Sequence, residues 1–197
     1  MAIFVETGEN PLFVQERGLT LETERIKIYK LRTLKRKVTS LSASKSILVK
    51  EDLQNQVTFI GKILRKTGID ELPQLINVLR GEMVLIGPRP LSVADLNLIK
   101  SREPELYERR TRLQAKPGIS GFWQVFGNKL KGIENLILLD EFYESHKSFH
   151  VDMLLILYTI AVLSFGKHSD SIMINKKIES KGGVHEYSFF RDLFPNT

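Results

Sequence analysis

Three prolines and three glycines decide what the middle of this chain can fold into. The stretch from Leu64 to Pro90, LRKTGIDELPQLINVLRGEMVLIGPRP, is punctuated by Gly68, Pro73, Gly81, Gly87, Pro88 and Pro90. Proline fits a helix in its first turn, where the missing N–H costs nothing. A helix therefore starts at about Asp70, is stopped by Gly81 and ends near Leu79, with Leu72, Leu75, Ile76 and Leu79 expected on its buried face. Asp70 falls where an N-cap belongs, a role worth about 1 kcal/mol. The same position also suits chemistry. Adjacent carboxylates, Asp70 and Glu71, stand at a helix N-terminus, where the end potential keeps an acid ionised and favours a nearby phosphate. Arg65 and Lys66 precede them and Arg89 follows. Cap and phosphate site are both open at this point.

The flanking segments give that helix its surroundings. Pro11-Leu-Phe-Val-Gln and the alternating Arg25-Ile-Lys-Ile-Tyr-Lys-Leu-Arg predict short strands, and Lys30 and Arg32 share a strand face. A basic, solvated strand and an edge offering Lys30 and Arg32 to phosphate oxygens fit this pattern equally. Residues 35–57 are polar and aperiodic, which predicts a mobile loop. Phe59, Ile60, Ile63 and Leu64 predict an amphipathic helix from Thr58 to Lys66, with Gly68 left-handed just past its end.

Beyond Gly81, Met83-Val-Leu-Ile reads as a buried strand leading into Gly87-Pro-Arg-Pro, where two prolines stiffen the backbone of Arg89. From Leu91 to Arg112 the pattern is helical, and most of Arg102, Arg109, Arg110 and Arg112 are expected on a solvated face. KPGISGFWQVFG is a glycine-punctuated apolar loop, Asp140 ends a further helical run, and Asp152 opens the apolar run Val151 to Phe165.

Charge and composition narrow the partners. A net charge of +6 (29 basic against 23 acidic residues) favours anions, and no nucleic-acid motif accompanies it. Zero cysteines exclude disulfides, thiolate catalysis and thiolate metal sites. MAIFVETGENP has neither the basic start nor the apolar core of a secretory signal. The run Val151 to Phe165 is shorter than the ~20 residues a membrane-spanning helix needs, so it predicts either a core helix or one lying in a membrane interface.

Taken in order, PLFVQERG, IKIYKLRTL, LRKTGIDELPQLINVLRGEMVLIGPRP, KPGISGFWQV, and LDEFY with VDMLLIL resemble the bacterial sugar transferases, the phosphoglycosyl transferases that start glycan assembly on a polyprenyl-phosphate carrier. The resemblance covers about residues 11–166. It implies a catalytic domain over 1–166 and a polar appendage over 167–197. The expected fold is α/β (or α+β), a small mixed sheet of short strands with packed and interfacial amphipathic helices.

The activity implied is transfer of a sugar-1-phosphate from a UDP-sugar to polyprenyl (undecaprenyl) phosphate at the cytoplasmic membrane face. Asp70 would be the nucleophile and Glu71 its assistant, with Mg²⁺ held through Asp70 and Glu71. Lys30, Arg32, Arg65, Pro88, Arg89, Arg112, Lys116 and Asp152 would contact substrate. Nucleic acid is not an expected partner.

Two departures stand out. The family's apolar membrane-entering helix lies upstream of the segment matching PLFVQERG, where this sequence offers ten residues before Pro11. A cytosolic location, or a truncated relative that binds nucleotide sugar or a partner without turnover, is the alternative this raises. Gly127-Asn128 also stands where the family often has Gly-Arg.

Overall fold

A computed structural model describes residues 2–35, 56–127 and 132–164. Most of the loop expected over 35–57, the 167–197 appendage and Asn128 lie outside the described residues.

The N-terminal third pairs as its alternation predicts. After helix α1 (Ala2–Thr7), strands β1 (Leu12–Gly18) and β2 (Ile26–Leu31) run antiparallel, with Leu12 opposite Leu31 and Arg17 opposite Ile26. Ile26 and Ile28 are buried while Lys27 between them is exposed. β4 (Leu91–Ser92) adds to the other edge of β1, giving the order β2-β1-β4. A second pair, β3 (Val84–Ile86) and β5 (Gly118–Ser120), is parallel, with Val84 opposite Gly118 and Ile86 opposite Ser120. Parallel strands need a crossover, supplied here by α4 (Val93–Arg102) and α5 (Pro104–Thr111).

Both predicted ends of α2 (Phe59–Thr67) are observed. The Thr58 side chain accepts from Gly61 N at 2.9 Å, and Gly68 closes the helix at φ +69°. A 3₁₀ helix, η1 (Ile69–Gln74), follows at once and continues as α3 (Leu75–Leu79), with Gly81 beyond it at φ +72°.

This composite helix corrects the expected facing. Leu72, Leu75, Ile76 and Leu79 are exposed, the last at 87%, whereas Asp70, Glu71, Gln74 and Asn77 are buried, the last at 0%. The two sets have the right helical spacing for opposite faces, but the polar one is turned inward. The reason lies in the partners. β2 faces η1–α3 with a lysine and a backbone carbonyl: Lys30 pairs with Glu71, and Asn77 Nδ2 donates to Lys27 O at 2.9 Å.

The main core lies on the other side of the molecule. Ile86, Leu96, Ile99, Phe122, Leu136 and Leu155 belong to one buried cluster built by β3, α4, α6 (Phe122–Phe126), α7 (Gly132–His146) and α8 (Phe149–Ser164). The helix that carries the apolar run at Val151 is buried on one face only. Val151 and Leu155 are buried in the core, while Phe149, Met153, Leu157 and Ile160 are exposed. No helix among the described residues is long and apolar enough to cross a membrane. Arg102 and Arg112 are solvated as expected, but Arg110 is fully buried because a carboxylate from α7 meets it inside the core.

Candidate active site

Gly68 decides how the two carboxylates are presented. Its left-handed backbone turns the chain from α2 straight into η1, where Glu71 N donates to Gly68 O at 3.1 Å. The cap position thus falls two residues earlier than expected, at Gly68 instead of Asp70, and no side chain caps it. Asp70 lies within the first turn instead, buried beside Glu71. Lys30 of β2 forms an ion pair with Glu71, both side chains being largely screened from water. Charges in such a setting interact more strongly than on a wet surface.

Arg65 joins the same neighbourhood from α2. Its Nε donates to Thr33 Oγ1 at 2.8 Å, three residues beyond Lys30, and α2 packs against η1. The Gly87–Pro90 turn is buried throughout, Arg89 included. Gly87 N donates to Ser120 O and Gly118 N to Pro88 O, each at 2.9 Å. A Cβ at Gly118 would collide with the backbone of Gly87, so the two loops touch only because neither carries a side chain there.

Asp152 reaches this end of the molecule through a residue the sequence did not single out. The Tyr143 hydroxyl lies 3.0 Å from Ile86 O and 2.9 Å from Asp152 Oδ1, and its single proton can be given to either acceptor. Burial raises the Asp152 carboxyl above its ordinary pKa, and Tyr143 opposes that shift. Burial and the adjacent Asp152 together raise the Tyr143 phenol. Arg110 and Asp140 were also missed as site residues. They form a buried ion pair at 2.8 Å against the backbone of Arg89. A helical arginine among other arginines carries no sequence signal of an inward partner thirty residues away.

Three predicted cations make their contacts elsewhere. Arg32 donates to Asn10 O at 2.9 Å and lies over the Phe13 ring. Lys116 donates to Gly81 O at 2.9 Å and lines, with Arg25, Lys27 and Arg80, a basic cleft of about 510 Å³. Arg112 pairs with Glu108 on the open surface of α5.

A second groove, of about 180 Å³, has Glu71 in its wall beside Leu72, Leu75, Leu85, Ile156 and Ile160. Its polar side carries Ser120 and Thr159, whose hydroxyls meet at 2.7 Å. The Glu71 carboxylate, paired with Lys30, thus borders a largely apolar groove.

Among the described residues no group of three or more His, Cys, Asp or Glu could cage a metal. Asp70 and Glu71 alone suit Mg²⁺, which keeps its waters and is commonly held by one or two carboxylates plus substrate phosphate. Of the two, Glu71 is ion-paired with Lys30.

Comparison with known proteins finds relatives along most of the chain. A family model described as bacterial sugar transferase matches residues 1–166. A galactosyl transferase, CpsE, of Streptococcus agalactiae is 40% identical over 112 residues, 56% of this chain and 24% of that protein. An uncharacterized sugar transferase of Bacillus subtilis, EpsL, is 33% identical over 151 residues, 77% of this chain and 69% of its own. A UDP-glucose:undecaprenyl-phosphate glucose-1-phosphate transferase of Caulobacter vibrioides is 40% identical over 127 residues, 64% and 45% respectively. The matched stretch spans about a quarter of the first of these relatives and under half of the third.

Proposed function

The chain belongs to the bacterial sugar transferase family, and from that premise we propose that it transfers a sugar-1-phosphate from a UDP-sugar to polyprenyl phosphate, starting a bacterial polysaccharide or glycoprotein glycan. The observation that carries this reading is the inward polar face of η1–α3. Asp70 is buried but not occupied with capping the helix, and Glu71 beside it is tied to a lysine from another element. Gln74, one turn further along the same buried face, has an Nε2 with no hydrogen-bond partner among the described residues. An orphaned buried donor costs about 1–3 kcal/mol, a cost that a substrate anion would remove.

In this reading an Asp70 oxygen attacks the β-phosphorus of the donor. The P–O bond to the α-phosphate breaks, UMP leaves with that oxygen, and a phosphosugar ester of Asp70 remains. An oxygen of the carrier phosphate then attacks the same phosphorus, the bond to Asp70 breaks, and the carboxylate returns unchanged. Covalent catalysis of this kind divides one difficult transfer into two easier ones. Lys30, Arg65 and Arg89 offset the charge of the diphosphate, which would otherwise repel an anionic nucleophile. Mg²⁺ held by Asp70, or shared with Glu71, would supply further charge neutralisation at the phosphates.

The lipid side of the reaction has a place as well. Exposed Phe59 and Ile63 on α2, the outward leucines of η1–α3, and Leu157 and Ile160 on α8 offer apolar surface from elements that touch one another. That surface suits a helix-bordered face lying in a membrane interface. The Glu71 groove would lead the first isoprene units from that face to the phosphate centre.

Purified full chain with Mg²⁺, a panel of UDP-sugars and polyprenyl phosphate should release UMP, and mass spectrometry should find a phosphosugar on Asp70 when the lipid is withheld. Neither UMP nor adduct with any donor would remove the proposal. Full activity in Asp70→Asn would remove the nucleophile assignment alone.

A further inference from the structure

Between Pro88 and Pro90 the backbone has one N–H and one C=O belonging to a non-proline residue, and both are Arg89's. A buried ion pair takes them both. Arg89 N donates to Asp140 Oδ1 at 3.4 Å, and an Arg110 Nη donates to Arg89 O. The pair is itself closed by Arg110 Nη1 to Asp140 Oδ2 at 2.8 Å, and Arg110 Nε is anchored on Leu19 O at 2.6 Å. Arg110 is 0% and Asp140 2% exposed. On the far side of the turn, Arg17 donates to Pro90 O at 3.2 Å.

We infer that Arg110 and Asp140 are positioning residues for Arg89, a two-sided clamp that fixes the direction in which the Arg89 guanidinium leaves the turn. The inference rests on the transfer reaction proposed above. Stability alone gives a weak reason for such a pair, because well-packed apolar side chains of the same volume serve a core as well or better. What apolar side chains cannot do is hold an N–H and a C=O at once. Proline fixes φ at residues 88 and 90 and confines Arg89, which precedes Pro90, to extended backbone; the clamp holds the freedom that is left. The donors of Arg110 are a rigid planar fork, so Leu19, Asp140 and Arg89 are set relative to one another by a single guanidinium. Preorganisation of this kind matters where phosphate charge must be met without rearrangement.

The test is a double-mutant cycle on the full chain, read by UMP release, together with amide hydrogen exchange at Arg89. Asp140→Asn and Arg89→Ala should each lower kcat/KM for the UDP-sugar at least tenfold. The double variant should fall no more than about threefold below Arg89→Ala alone, because the clamp acts through that side chain. Losses that multiply would overturn the inference, showing that Asp140 acts elsewhere. Arg109→Lys, altering the outer Arg109–Glu141 pair, should stay within twofold of the wild type.

The Arg89 amide should be protected in the wild type and exchange faster in Asp140→Asn; equal exchange in both overturns the clamp. Should Asp140→Asn fail to fold, Arg110→Lys replaces it in the cycle and in the exchange comparison. If the wild type releases no UMP, the proposed function is lost, and the exchange at Arg89 still decides the clamp.

Discussion

The η1–α3 helix and helix α7 treat the same alphabet in opposite ways. α7 puts Leu136, Ile137, Leu139 and Tyr143 into the core, and the two polar residues it buries with them, Asn135 and Asp140, are exceptions on an apolar face. η1–α3 buries Asp70, Glu71, Gln74 and Asn77 and leaves its leucines outside. A helix of the first kind stabilises the fold through apolar burial. One of the second kind gains little from its outward leucines in water and must satisfy every inward polar group with a partner. Such a helix makes sense where its inner face does chemistry and its outer face meets something other than water.

That contrast can be broken at three places, and a fourth change tests a carboxylate outside both helices. The largest effect is expected for Asp70→Asn, which should lower UMP release by about a thousandfold or more, since a neutral amide cannot replace a nucleophilic carboxylate. Thermal unfolding of that variant should stay near the wild type; a collapse in stability instead would make Asp70 a structural residue.

Next comes Leu136→Ala in α7, expected to destabilise the fold by about 2–5 kcal/mol by emptying a fully buried site, checked by urea unfolding.

Leu79→Ser in α3 should shift stability by no more than about 0.5 kcal/mol, as surface changes do, yet weaken sedimentation with lipid vesicles. A destabilisation matching that of Leu136→Ala would show that the outward leucines pack against protein.

The smallest effect concerns Glu22, whose carboxyl is pulled down to about 2 chiefly by the Tyr107 hydroxyl, with Lys100 assisting. Its folded pKa lies below the ordinary glutamate value of 4.5. The stability it contributes is therefore present above pH 4.5 and lost as pH falls from there towards 2. Glu22→Gln should flatten that part of an acid-unfolding curve.

Local grammar was legible in the sequence, and direction was not. Thr58, Gly68 and Gly81 marked helix ends correctly because caps and left-handed glycines act within a few residues. The alternation of Arg25 to Arg32 placed β2 for the same reason. Periodicity at Leu72, Leu75, Ile76 and Leu79 also identified two faces truly. It could not say which face turns inward, because that depends on what β2 presents across the gap.

Lys30 meets Glu71, the neighbour of Asp70, and Arg65 stands on α2, which packs against η1. Arg110 was expected on a solvated face, since the carboxylate that buries it arrives from α7. Tyr143 was read as the last residue of LDEFY and given no role, and its contacts with Ile86 O and Asp152 exist because α7, α8 and β3 converge.

The anchoring of the Gly87–Pro90 turn has a consequence for how the protein is made. Its holders are scattered along the chain at Arg17, Arg110, Gly118 and Asp140, the last of them 51 residues beyond Arg89. A ribosome adding about 5–20 residues per second needs roughly 3–10 s to cover that interval. Through those seconds the nascent chain already carries Asp70, Glu71 and the turn itself, but not the carboxylate that holds Arg89. Substrate binding should therefore mature last, when α7 docks, and stalled chains ending before Asp140 should fail to retain nucleotide sugar.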